Sequence, residues 1–271
     1  MLQLEGSRLA AADRRASSPI STQPAGEMRA QSQGVVIETP RLLISDFTVK
    51  DLEPLRGVFE SLHQSGQSWF NANVNRPESI ESFLQLTLAN QTDAPRHTYR
   101  LAVRVKEPHG CDRLIGYVAI CDIFNQDDGK PDAGVLINPQ FQRNGYSREA
   151  SITQMVFGFA LGVTRLIAEV KTDNVSSINN VLGMGYSRVL LPDASPLVIN
   201  VKTLMGHEEW YRFVVTREYF LGLAPELIEN LARRYWPGDS NGIHVQGNDA
   251  VNAFIDRIFK KLPNKARVVA V

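Results

Sequence analysis

The sequence predicts a mixed α/β (α+β) fold: a mainly antiparallel central sheet flanked by helices, followed by a C-terminal helical extension. Three observations predict it. Short β-rich segments follow one another between residues 99 and 137, as in an antiparallel meander. A strand–helix–strand–helix succession then runs on from residue 133, which calls for a right-handed crossover and a local parallel pair. Beyond residue 223 the strand pattern gives way to two helical stripes.

The elements follow in order. Val35, Val36 and Ile37 precede Pro40, which restricts pairing, and residues 41–47 read as the first strand. Thr48 has the character of an N-cap with Asp51 at the third helical position, ahead of a helix bearing Leu52, Leu55, Val58 and Phe59 on one face. A polar loop carries Trp69 and Phe70. A second helix is expected over residues 79–89, with Ile80, Phe83, Leu84 and Leu88 inward. Strands are predicted at 99–105, 113–122 and 133–137, with a turn-rich stretch at 125–130. The spacing of Ile152, Met155, Val156, Phe159 and Ala160 predicts a one-faced helix over 146–162, ended by Gly162. A strand at 165–170, a helix at 174–182 ended by Gly183 and Gly185, and a last strand at 211–216 complete the domain. In the tail, Pro225 is expected to open a helix with Leu227, Ile228 and Leu231, and Pro237-Gly238 to break it. Asp249 is expected to cap a helix striped by Val251, Phe254, Ile255, Ile258, Phe259 and Leu262, which packs on the domain or forms a partner or dimer surface.

These assignments divide the chain into residues 1–34, 35–220 and 221–271. The first part is rich in Ala, Ser, Gln and Arg and poor in large apolar side chains, so it is expected to be a disordered tail. Met28 is an alternative start. The whole has 271 residues, 43% hydrophobic and 21% charged, enough for a sizeable core. Lys plus Arg balances Asp plus Glu at 29 each, against a broad nucleic-acid footprint. No stretch is long and apolar enough for a membrane span, and the N-terminus lacks the apolar segment of a secretory signal. Cys111 and Cys121 do not make a disulfide framework, so a reducing, cytoplasmic setting is expected. The five histidines are scattered, and no metal site is expected.

The chemistry concentrates between Pro139 and Ala150. A strand ends near Ile137, a glycine-containing turn follows, and a helix opens near Tyr146. Such a turn aims unpaired N–H groups, at the positive end of a helix dipole, into one spot suited to a pyrophosphate. Gly145 permits close approach, and Ser147 is a small hydroxyl donor. An ordinary strand–turn–helix is the plain alternative.

Residues Gln142, Arg143, Asn144, Gly145, Tyr146 and Ser147 resemble the acetyl-CoA loop of the GNAT superfamily of N-acetyltransferases. The flanks resemble its RimJ/RimL-like branch: Glu38-Thr-Pro-Arg-Leu, Leu114-Ile-Gly-Tyr, Pro139 with Glu149-Ala150, Asn174 with Ser177, Gly185-Tyr186, and Phe213-Val-Val-Thr-Arg-Glu. The resemblance spans about residues 35–220.

It implies a splayed pair of parallel strands holding acetyl-CoA or another acyl-CoA. Leu136 and Ile137 would meet the pantetheine arm through main-chain groups, residues 142–147 would hold the pyrophosphate, and Asn174 and Ser177 would face the thioester end. Asp132 lies where the family often has a strand Glu and is the candidate base, acting through water; a solvated turn residue is the alternative. Val181 stands where many members have a Tyr acid, and Ser177 is the candidate substitute donor. Acceptor contacts are expected from Trp69, Phe70, Asn71 and Asn73 and from residues 207–210, including Trp210, although large aromatics are more often core residues. The implied reaction is acetyl transfer to a primary amine, either a protein α-amine or a small molecule. Transfer of a longer acyl group in a specialised biosynthetic pathway and a non-catalytic CoA-binding protein are the alternatives.

Overall fold

The computed structural model describes residues 34–66, 77–107, 110, 112–125, 131–203, 206–236 and 242–260. The chain order is β1 (Val36–Glu38), β2 (Leu42–Asp46), α1 (Leu52–Gln64), α2 (Pro77–Gln91), β3 (Tyr99–Val105), β4 (Arg113–Cys121), β5 (Asp132–Ile137), α3 (Tyr146–Ala160), β6 (Arg165–Lys171), α4 (Val175–Leu182), β7 (Ser187–Arg188), β8 (Val198–Thr203), β9 (Gly206–Thr216), α5 (Arg217–Tyr235), β10 (His244–Val245) and α6 (Asp249–Phe259). Among the described residues the sheet runs β10-β1-β2-β3-β4-β5-β6-β9-β7, and β8 pairs with β9. All these pairings are antiparallel except that of β5 with β6. The mixed, mainly antiparallel architecture is the one the sequence predicts.

Alternation along the strands divides the core. Ala102, Tyr117 and Leu136 turn to one face, where Leu55, Val58 and Phe59 of α1 and Ile80 and Leu84 of α2 cover them. Val103, Val118 and Ile137 turn to the other, where α3, α5 and α6 lie. Thr48 and Asp51 meet as expected: the Asp51 carboxylate accepts from the Thr48 N–H at 2.7 Å and its hydroxyl at 3.1 Å.

Several elements differ from the sequence reading. The first strand is a hairpin, β1 and β2, whose turn is closed by Thr39 N–H donating to the Leu42 carbonyl at 2.9 Å. Helix α3 is not one-faced: residues 149–159 are all buried, because α5 and α6 cover its outer side. The tail helix opens at Arg217 rather than at Pro225, capped by the Thr216 hydroxyl. Pro225 lies inside it, at a cost of about 3 kcal/mol. Burial of Phe220, Leu227, Ile228 and Leu231, at about 1.5–3 kcal/mol each, outweighs that cost. The boundary drawn at residue 220 therefore falls within α5. Residues on both sides of it share one core, and β10 extends the sheet by pairing with β1. The α6 cap is Asn248, one residue before Asp249; its side chain accepts from the Val251 N–H at 3.0 Å. The turn at 126–130, Pro237-Gly238 and Leu262 lie outside the described residues.

Candidate active site

The parallel strands β5 and β6 touch at one end only. The Ile167 N–H donates to the Pro131 carbonyl at 2.9 Å, and Asp132 opposite Ile167 is the single register pair. Beyond it the strands diverge, β5 following β4 and β6 following β9. Main-chain direction alternates along β5, so with Pro131 turned to β6, Val135 and Ile137 also turn into the gap. Unpaired main-chain groups inside a protein need partners. The Val135 main chain and the Ile137 N–H are therefore open to a ligand or to water. From Asp132 to Ile137 the gap runs about 17 Å.

Leu136, expected to meet the ligand, is turned the other way. Its carbonyl lies against Gly116 on β4, so close that a Cβ at Gly116 would stand 1.9 Å from the oxygen. Val135 takes its place on the gap. Ile137 keeps its position there, but its carbonyl already accepts from the Gln142 amide at 2.9 Å.

The wide end of the gap meets the loop before α3. Arg143 and Gly145 both have left-handed backbone, with φ of 64° and 79°. The N–H groups of Tyr146, Ser147 and Arg148 open the helix and have no acceptor among the described residues. Arg41 grips the loop from behind. It pairs with Glu149 at 2.6 Å and donates to the Asn144 carbonyl at 2.9 Å. Glu149 is fully buried and also accepts from the Thr39 hydroxyl at 2.5 Å, so its charge is matched. Across the gap, Asn174 caps α4 by accepting from the Ser177 N–H at 3.1 Å. Asn180 donates to the Ser147 hydroxyl at 3.4 Å, and Arg148 donates to the Gly183 carbonyl. These contacts bring the loop and α4 to the same cleft.

The sequence model of the acetyltransferase (GNAT) domain matches residues 41–187, which contain the gap, the loop and α4. The chain belongs to the GNAT acetyltransferases. It is 29% identical over 158 residues to an uncharacterized N-acetyltransferase of Bacillus subtilis, YoaA, covering 56% of this chain and 83% of that one. Among solved structures, Mycobacterium smegmatis RimJ in complex with CoA-disulfide superposes with a TM-score of 0.59 at 12% identity, over 76% of this chain and 98% of that one. The spermidine N-acetyltransferase of Vibrio cholerae, in complex with CoA and spermine, gives 0.53 at 15% identity over 66% and 98%. At these identities the structural likeness speaks for the fold.

In this GNAT domain the gap closes at Asp132, whose half-buried side chain shares a sheet face with Cys121 and Ile167. Burial pushes the hydroxyls of Tyr117 and Tyr186 above the usual tyrosine range, and the Asp132 carboxylate pushes both further. Tyr186 is 5% exposed. The sequence reading took Tyr186 only as the end of a Gly-aromatic motif. The usable signal was the hydroxyl on the aromatic of the Gly185-Tyr186 pair.

The expected acceptor residues divide. Trp69, Phe70, Asn71 and Asn73 lie outside the described residues. Trp210 stands opposite Lys171 on the Asp132 face of the sheet, half-buried, its indole N–H turned from solvent and without an acceptor among the described residues. The charges beside it are matched: Arg212 with Glu169 at 2.8 Å and Lys171 with Glu208 at 3.2 Å. Among the described residues no group of His, Cys, Asp or Glu could hold a metal ion. No helix there is long and apolar enough to cross a membrane.

Proposed function

We propose that the chain transfers an acetyl group from acetyl-CoA to a primary amine by direct attack. One observation carries the reading: a gap of unpaired strand groups that runs from a carboxylate, Asp132, to a helix N-terminus with unpartnered N–H groups. Val135 and Ile137 would bond the pantetheine amides, and the N–H groups of residues 145–148 would hold the pyrophosphate. Acetyl-CoA, when bound, supplies the thioester.

The chain's own residues then move protons. Asp132, through a water, takes the proton that the amine loses as its nitrogen bonds to the acetyl carbon. As the carbon–sulfur bond breaks, a hydroxyl must give its hydrogen bond to the departing sulfur. Ser177, half-buried at the first turn of α4, is one donor; Tyr186 is the second, held protonated by burial. We take the matched pairs Arg212–Glu169 and Lys171–Glu208, with the Trp210 ring, to favour an acceptor of neutral body, such as a peptide α-amine, over a polyamine. A cytoplasmic setting suits these substrates.

Thiol release from acetyl-CoA with a panel of peptides and small amines tests the reaction. Turnover with peptide amines, reduced at least a hundredfold in Asp132→Asn, is expected. CoA binding with no turnover on any amine contradicts it.

A further inference from the structure

Helix α5 lies outside the matched family domain, yet its last residue reaches the cofactor loop. A Cβ built on Gly145 would stand 2.6 Å from Cζ and 2.7 Å from both Cε atoms of the Tyr235 ring, so the phenol end of that ring covers the glycine. The same ring lies 4.9 Å from the Arg41 guanidinium carbon, and the Tyr146 ring lies 4.6 Å from it. Arg41 is thus flanked by two aromatic rings. Its Nε donates to Glu149 at 2.8 Å and its Nη1 to the Asn144 carbonyl at 2.9 Å.

The peptide plane turns these contacts into an aiming device. In a trans peptide the carbonyl of Asn144 and the N–H of Gly145 point in opposite directions. Arg41 holds the carbonyl on the side of β2 and α5, so the Gly145 N–H is directed away from them. Tyr235 steadies Arg41 and, by covering Gly145, fixes the left-handed turn. We infer that Tyr235 is a positioning residue for the cofactor loop, and that the C-terminal helices serve the acetyl donor's pyrophosphate. This rests on the reading of residues 142–147 as the pyrophosphate loop.

The test is calorimetric titration of the full chain with CoA and with pantetheine, which lacks the pyrophosphate. Tyr235→Ala is expected to weaken CoA binding about tenfold, the scale of a lost cation–π contact, and to leave pantetheine binding unchanged. Tyr235→Phe should bind CoA within about twofold of wild type, because the ring face is kept. Tyr235→Leu, which keeps the packing volume, should repeat the alanine result and serves if the alanine variant does not fold. Equal weakening of both ligands marks a merely structural role and overturns the inference, as does unchanged CoA binding in the leucine variant. Failure of the wild type to bind CoA overturns the underlying loop reading instead, and is seen before any variant is made.

Discussion

At the scale of single residues, Gly116 shows how one missing side chain shapes the cleft. The Leu136 carbonyl occupies the space a Cβ would need, with the oxygen 1.9 Å and the carbon 2.9 Å from that position. Gly116→Ala must push β5 away from β4 and is expected to cost about 3 kcal/mol or more in chemical denaturation. CoA affinity should fall with it, because Val135 and Ile137 move too. Tyr186 carries a second residue-scale prediction. Tyr186→Phe keeps the ring and its packing, so folding should survive while kcat drops at least tenfold at unchanged KM for acetyl-CoA. A kcat within twofold of wild type leaves Ser177 as the donor. The same substitution bears on alkaline stability. The folded-state pKa of Tyr186 is raised, so its contribution is fully present below the unfolded value of about 10 and is lost as pH rises beyond it. The fall in melting temperature above that pH should be shallower in Tyr186→Phe than in wild type.

At the scale of elements, the loop and α3 act together, and Gly145 has two reasons to be glycine: its φ of 79° and the Tyr235 ring over its Cα. Gly145→Glu should abolish CoA binding, since its Cβ meets the Tyr235 ring and a side chain at this left-handed φ displaces the turn that presents the N–H groups. Much of this element was legible in the sequence. Residues 99–105 alternate, residues 113–121 form a continuous β-rich run, and the strand, glycine turn and helix around Gly145 follow one another as the local sequence predicts. What escaped depended on distant partners. Pro225 read as a helix start because a lone sequence cannot weigh its cost against the burial of Phe220 and Leu231. The polar Ser151, Thr153 and Gln154 made α3 look one-faced, whereas Gln154 donates to the Gly134 carbonyl at 3.1 Å and is buried. Strand β8 lies close after Pro192 and Pro196 and, among the described residues, pairs with β9 alone, so little in its own residues announces it. The direction in which Leu136 and Val135 face depends on where Pro131 pairs, which no local pattern reveals.

At the scale of the molecule, the family domain does not stand alone. Helices α5 and α6 bury the outer side of α3, and β10 closes the sheet beside β1. Truncation after Phe220 would uncover α3 and remove Leu227, Ile228, Leu231, Val251, Phe254, Ile255 and Ile258 from the core. At about 1.5–3 kcal/mol per side chain, the loss is as large as the 5–15 kcal/mol that usually separates folded from unfolded chains. The truncated protein is expected to aggregate in size-exclusion chromatography. A monodisperse, folded product would contradict this account of the tail. Arg41, Glu149 and Tyr235 meet from three separate parts of the chain, so the loop's geometry belongs to the molecule as a whole.

The central claim is that this cleft binds an acyl-CoA. Calorimetric titration of the wild-type protein with acetyl-CoA, beside desulfo-CoA and adenosine diphosphate, tests it most directly. Saturable micromolar binding, with the CoA species much tighter than adenosine diphosphate, is the predicted result, because both the gap along β5 and the α3 N-terminus contribute. A folded sample that takes up none of the three would contradict it.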